Sequence, residues 1–327
     1  MSLSNVYTTG VIAVKEKSLL KDRLDRLAEV TVEEAFRILL EHGFGGGAET
    51  ASSPYEYEAL IAREEENLDA FILEYAPTSA TAAYFLSPRD FHNAKALFKA
   101  RLLSVSPEKM LASKGQVSIE VLSSCISSSD YSAISGELRL ACEEAEKLLA
   151  EESVSGVELG LLFDKACYRH LRTVCKYNRT LRRFLAQKVD MINILTTVRA
   201  GDFNFAKQQY LSGGKLTENV LEVLAQGDGD KIKGTFKNTN YAQFVGLCID
   251  AREKNLPFSS AERLLGGYEA DSFTARKYDL RKEEPFLYYV LRRKAENANV
   301  RIIFAGKLAG LSESEIKRRL RARSGGA

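Results

Sequence analysis

The chain has 327 residues, 45% of them hydrophobic and 28% charged, with a formal net charge of +2. Those proportions suit a globular protein with a substantial core and exclude a disordered chain, and no apolar run approaches the roughly 18 residues that span a bilayer. The N-terminal "MSLSNVYTTGVIAVKEK" lacks the basic, apolar and small-residue succession of a secretory signal, so a cytoplasmic location is expected.

The elements read in chain order are helical. Thr31-Val-Glu-Glu34 has the form of a capping box, in which hydroxyl and carboxylate satisfy each other's free backbone donors, and Val32, Ala35, Phe36, Leu39 and Leu40 form one stripe of the helix that follows. "GFGGGAETASSP" (43–54) reads as a loop. The block from Glu49 to Glu74 holds eight carboxylates and the single Arg63. Ser106-Pro107-Glu108 adds a cap with proline at a first helical position. "QVSIEV" (116–121) is the best strand candidate, and the serine-rich "SSCISSSDYS" (123–132) reads as a loop. No proline occurs between Pro107 and Pro257, a stretch rich in good helix formers. Within it, Leu138 to Leu149 repeat the helical stripe and Ser155-Gly-Val-Glu158 gives a second capping box. "GDGD" (227–230) and "GGYEAD" (266–271) mark further loops, and Ser259-Ser-Ala-Glu262 and Ser312-Glu-Ser-Glu315 further helix starts. From Arg276 to Ala327 there are 14 Lys/Arg against 6 Asp/Glu, so one end is basic and the rest mildly acidic. The fold class is all-α.

One pattern returns three times: "DFHNAKALFKA" from Asp90, "DMINILTTVRA" from Asp190 and "ENANVRIIFAG" from Glu296. Each has an acid at the first position, an Asn three residues on (Asn93, Asn193, Asn299), and apolar residues at the fourth and eighth positions after the acid. On a helix these positions share one face, with acid and asparagine at the N-terminal end of the stripe. There the helix dipole favours a carboxylate, and Asn can bond to the backbone of an adjoining helix. A second echo follows the first two segments, "GQVS" (115–118) and "GKLT" (214–217), with "GLS" (310–312) after the third. The reading is a helical repeat with a period near 100 residues.

Chemistry is sparse. Five scattered cysteines (Cys125, Cys142, Cys167, Cys175, Cys248) contain no CxxC pair and read as buried thiols, and three isolated histidines give a zinc site almost no material. "SGGKLT" (212–217) fails as a phosphate loop, since Gln209 stands where the first glycine belongs and Leu216 follows the lysine. No catalytic, cofactor-binding or metal-binding residue is expected. The basic "IKRRLRARSGGA" tail has no interleaved aromatic residue, which counts against nucleic acid. Other uses of such a chain are a soluble helical scaffold that binds a peptide or protein, for which a period of 100 is long, and an unrecognised enzyme.

Several segments carry a family resemblance: "SLLKDRL…EEAFRILLEHGF", "SPRDFHNAKALFKAR", "LFDKACYRHLRTVCKYNRTLRRFLAQKVDMINILTTVRA" and "FLYYVLRRKAENANVRIIFAGKLAGLSESEIKRRL". Together they resemble the C subunits of the prokaryotic V-type (A/V-type) rotary ATPases, relatives of the d subunit of eukaryotic V-ATPases. Ile194 and Val300 stand where the family more usually has Leu, and Ala295 where it has Glu; the changes are conservative. The resemblance implies a funnel-like body of three similar helical units around a pseudo-threefold axis, with expected units at 1–130, 131–227 and 228–327. It also implies a non-catalytic rotor component, peripheral on the cytoplasmic face of the membrane, whose partners are the central stalk and the membrane proteolipid ring. The opposite charges of the 49–74 block and the 276–323 region further suggest that these two face each other.

Overall fold

The computed structural model describes residues 5–113, 115–151, 154–280 and 282–321. It is all-α, with no strand among the described residues. Two compact units divide the chain, one made of residues 1–77 with 229–327 and the other of residues 78–228.

The first unit begins with helices α1 (Asn5–Lys15), α2 (Arg23–Glu29), α3 (Val32–Glu41) and α4 (Tyr57–Tyr75). The second comprises α5 (Ser79–Leu103), α6 (Ile119–Ser128), α7 (Gly136–Leu149), α8 (Gly156–Val174), α9 (Arg179–Ala200), α10 (Phe203–Lys207) and α11 (Glu218–Gln226). The chain then returns to the first unit with α12 (Gly229–Phe236), α13 (Ala242–Glu253), α14 (Ser259–Asp271), α15 (Glu284–Leu308) and α16 (Glu313–Arg319).

Capping chemistry accounts for seven of the sixteen α-helix starts among the described residues. The Ser155/Glu158 and Ser312/Glu315 pairs form complete capping boxes, and Thr31 accepts the Glu34 N–H. Other expectations fail locally. Ser259 is the first helical residue of α14 rather than its cap, and "GGYEAD" continues that helix. Ser106-Pro107 introduces only a three-residue 3-10 turn, Glu108–Met110. "QVSIEV" is no strand, because Ser118 caps α6 by accepting the Val121 N–H and helix runs from there into the serine-rich stretch. α5 starts well before the repeated segment and carries Pro88 in its interior.

Each unit has its own core. In the first, Leu27, Leu39, Leu60, Ile61, Val300 and Ile303 surround Phe304, which stacks on Tyr57 with ring centroids 5.4 Å apart and meets Phe36 edge-on at 6.4 Å. In the second, Phe98 of α5 packs on Phe163 of α8 at 5.5 Å, and Leu181, Val189 and Ile194 of α9 are buried as well. All five cysteines are buried. Burial pushes the Cys142 and Cys167 thiols up to about 12, so neither is a thiolate near neutral pH.

Within the first unit the acidic block meets α15. Arg301 grips the Glu58 carboxylate through Nε (2.9 Å) and Nη2 (2.9 Å) and lies 3.6 Å from Glu65, while buried Arg293 lies 3.5 Å from Glu64. The basic residues further along pair elsewhere: Lys317 binds Glu29 and Glu313. The tail beyond Arg321 lies outside the described residues.

Candidate functional site: three side-chain latches

The repeated acid and asparagine lie deep inside long helices. Asp90 is the twelfth residue of α5, Asp190 the twelfth of α9 and Glu296 the thirteenth of α15. The first-turn dipole argument therefore does not apply to them; burial and hydrogen bonding do. All six side chains are buried, so each must find partners or cost the fold their desolvation.

The partners are backbone groups of non-helical segments, not of an adjoining helix, and for Asp90, Asn93, Asp190 and Asn193 they lie in the segment that follows the helix. Asn93 accepts the Ala112 N–H through Oδ1 (2.8 Å) and donates from Nδ2 to the Ser113 carbonyl (3.4 Å). Asn193 accepts the Leu211 N–H (3.0 Å) and donates to the Leu211 carbonyl (3.0 Å). Asn299 does the same with Arg321, at 2.8 and 3.2 Å. A side-chain amide matches a peptide group donor for acceptor, which is why Asn suits this place and Asp or Leu would not.

The acids hold a second point. Asp90 accepts the N–H groups of Gln116 (3.1 Å) and Val117 (3.0 Å), and Asp190 those of Lys215 (2.7 Å) and Leu216 (3.0 Å). Glycine is needed at the residue before each pair. A Cβ at Gly115 would sit 2.2 Å from Asp90 Oδ1, and one at Gly214 2.4 Å from Asp190 Oδ1. The "GQVS" and "GKLT" echoes thus acquire a cause: glycine for close approach, two N–H donors, then the residue preceding α6 or α11.

The third latch differs. Glu296 accepts the N–H of Lys21 (3.1 Å), together with that of Leu20, from the start of the chain. The helix following these donors is α2, which begins at Arg23, and Ile119 and Glu218 stand at the same offset from their own donors. Leu19 therefore takes the place of Gly115 and Gly214, and the extra methylene of Glu296 bridges the space that glycine closes at the other two. "GLS" (310–312) is not the counterpart: Gly310 follows α15 with φ +73°, open space lies around its Cβ position, and Ser312 caps α16. No glycine marks the 19–21 segment; the only sequence signal for it is the offset to a helix start.

Burial drives the electrostatics. It raises Asp90 to about 6, against the opposing N–H bonds from Val117 and Gln116. Burial also raises Glu296, although Arg293 lies 3.4 Å away. Arg293 is itself buried, donates to the Ser18 carbonyl (3.0 Å) and hydroxyl (2.7 Å), and stays charged between Glu64 and Glu296. With both Asp side chains committed to backbone donors, these carboxylates act as clamps. Among the described residues no three His, Cys, Asp or Glu side chains gather as metal ligands would, and no helix is long and apolar enough to cross a membrane.

Comparison with known sequences follows the same span. The family described as ATP synthase (C/AC39) subunit matches residues 8–319. The chain is similar to the C subunit of a V-type sodium ATPase of Enterococcus hirae, 22% identical over 315 residues that cover 94% of this chain and 92% of that one. It is also similar to the C subunit of the A-type ATP synthase of Methanosarcina acetivorans, 24% identical over 344 residues (95% and 91%), and of Methanosarcina mazei, 23% identical over 345 residues (95% and 91%).

Proposed function

The chain belongs to the ATP synthase (C/AC39) subunit family, and from that premise we propose that it is a non-catalytic central-rotor component of a V-type rotary ATPase. In this reading it links the central stalk to the membrane proteolipid ring, on the cytoplasmic face, and passes torque between them. The observation that carries the reading is the match, over nearly the whole length of the chain, to relatives named as the C subunits of a sodium ATPase and of ATP synthases.

The latches are consistent with a mechanical role. A part that transmits torque must not shear, and packed helices resist shear because their side chains interdigitate at crystal-like density. Helices of 25, 22 and 25 residues, each clamped near mid-length to non-helical backbone, add stiffness that packing alone would not. We take each latch as the nucleus of one of three similar units, the third completed by the 19–29 segment, in a pseudo-threefold body.

The test is affinity purification of the tagged full-length chain from detergent-solubilised membranes. Co-recovery of the proteolipid ring and of the stalk proteins is expected. Recovery of soluble partners alone would overturn the assignment in favour of a free helical scaffold.

A further inference from the structure

The second unit carries a one-sided charge that the latches do not use. Between Lys165 and Val189 the sequence holds eight Lys/Arg and no Asp/Glu, whereas the rest of residues 78–228 holds eleven Lys/Arg against seventeen Asp/Glu. This stretch is the second half of α8, the four-residue corner 175–178 and the first half of α9. The charge is therefore gathered at one place in the fold.

Arg172, Lys176, Arg179, Arg182 and Arg183 are all exposed there, and none forms an ion pair among the described residues. Their one shared contact is internal: Arg182 Nη1 donates to the Lys176 carbonyl at 3.3 Å. Three of the five occupy the first five positions of α9, the end of a helix least favourable to cations, and no acid stands in that first turn. Folding alone gives no reason to keep this arrangement. At the corner Tyr177 is 90% exposed, with Lys176 Nζ 5.1 Å above its ring.

We propose that the α8–α9 corner is a docking surface for the anionic lipid headgroups of a bilayer. The occupant follows from the form of the surface. Five exposed cations around one projecting tyrosine present no buried anchor among the described residues, which a protein interface of useful affinity needs. A fluid layer of phosphates can instead rearrange around each cation, and an amphipathic ring at the apex suits the headgroup region. The contact is peripheral, with no helix entering the bilayer, and it rests on the charge and geometry of this corner alone, independently of the rotor assignment.

The experiment uses the full chain and vesicles of phosphatidylcholine with or without about 30% phosphatidylserine, at ionic strengths near 50 mM and 500 mM, the upper of which screens exposed charges. The sequence contains no tryptophan, so Tyr177→Trp supplies a single emission probe. Co-sedimentation with the anionic vesicles at low salt, loss at high salt and a blue shift of the probe on binding are expected. The double change Arg182→Glu/Arg183→Glu should lower the bound fraction at least about tenfold while leaving thermal stability equal or higher, because acids suit the start of α9. If that variant fails to fold, Arg179→Gln/Arg182→Gln/Arg183→Gln serves in its place with the same expected loss. Arg318→Glu/Arg319→Glu on α16 should change binding less than about twofold.

Equal binding to neutral vesicles, an unshifted probe, or equal loss from the α9 and α16 variants would overturn the proposal. So would binding to polyglutamate as tight as to anionic vesicles at equal charge concentration, which would assign the corner to an acidic protein instead.

Discussion

Asn299 and Arg321 exchange two hydrogen bonds across 22 residues: the Asn299 amide oxygen accepts the Arg321 N–H at 2.8 Å and its Nδ2 donates to the Arg321 carbonyl at 3.2 Å. The same two-way bond joins Asn193 to Leu211 at 3.0 and 3.0 Å. A buried amide so fully matched to the backbone N–H and carbonyl of one residue has little tolerance for replacement. Asn193→Leu and Asn299→Leu are each expected to cost about 2 kcal/mol, since a partly buried N–H and carbonyl then lose their partner. Urea unfolding followed by circular dichroism measures the loss; a change below about 0.5 kcal/mol in both would show that the latches do not bear on stability.

Gly115 has no room for a methyl group. Its Cβ would meet Asp90 Oδ1 at 2.2 Å and the Leu86 carbonyl oxygen at 2.9 Å, and the second of these is helix backbone that cannot swing away. Gly115→Ala should destabilise by about 2 kcal/mol or more. Gly234, which has open space around its Cβ position and lies inside α12, is the control: Gly234→Ala is expected to be neutral or stabilising by up to about 1 kcal/mol.

Asp90 sets a pH dependence with a definite sign. Its folded value, about 6, lies above the ordinary 3.8, because burial penalises the ionised form. The folded protein therefore binds this proton more tightly than the unfolded chain. The group's contribution is fully present below about pH 4 and is lost as pH rises through 6, by roughly 3 kcal/mol in total. The Asp90 carboxyl resonance should titrate near 6 in the folded protein, and Asp90→Asn should flatten the stability profile between pH 4 and 7; a midpoint at or below 4 would contradict the assignment.

Arg293 is the buried partner of two acids, 3.5 Å from Glu64 and 3.4 Å from Glu296. Arg293→Met strands a buried carboxylate and is expected to cost about 3 kcal/mol near neutral pH. Glu296 then becomes neutral on acidification, so the deficit relative to the parent should shrink between pH 7 and 5. A deficit that does not depend on pH would place the cost in lost packing instead.

The Arg301–Glu58 pair should matter far less, despite its two-pronged geometry, because both side chains are about half exposed. Arg301→Glu is expected to cost under about 1 kcal/mol at low salt, to be partly restored by Glu58→Arg, and to lose most of its effect at about 0.5 M salt. Thermal unfolding of the two single changes and the double change at both salt levels provides the measurement.

Much of the fold can be read from residue order alone. Helical spacing, hydroxyl–carboxylate caps and the proline-free centre specify an all-α chain, because each is a local matter of which backbone donors are satisfied and which face is apolar. The three acid–asparagine segments are also visible, since a period near 100 needs no structure to detect. Where local signals misled, a longer-range preference decided: "GGYEAD", read as a loop, continues α14.

What the latches hold could not be read in this way. The donors for Glu296 are the N–H groups of residues 20 and 21, 275 residues distant in the case of Lys21, and no glycine marks them. Backbone donors are present at every residue but proline and leave no trace in side-chain identity. Only the tertiary fold determines which of them a buried carboxylate meets, and only the fold brings residues 1–77 and 229–327 into one unit.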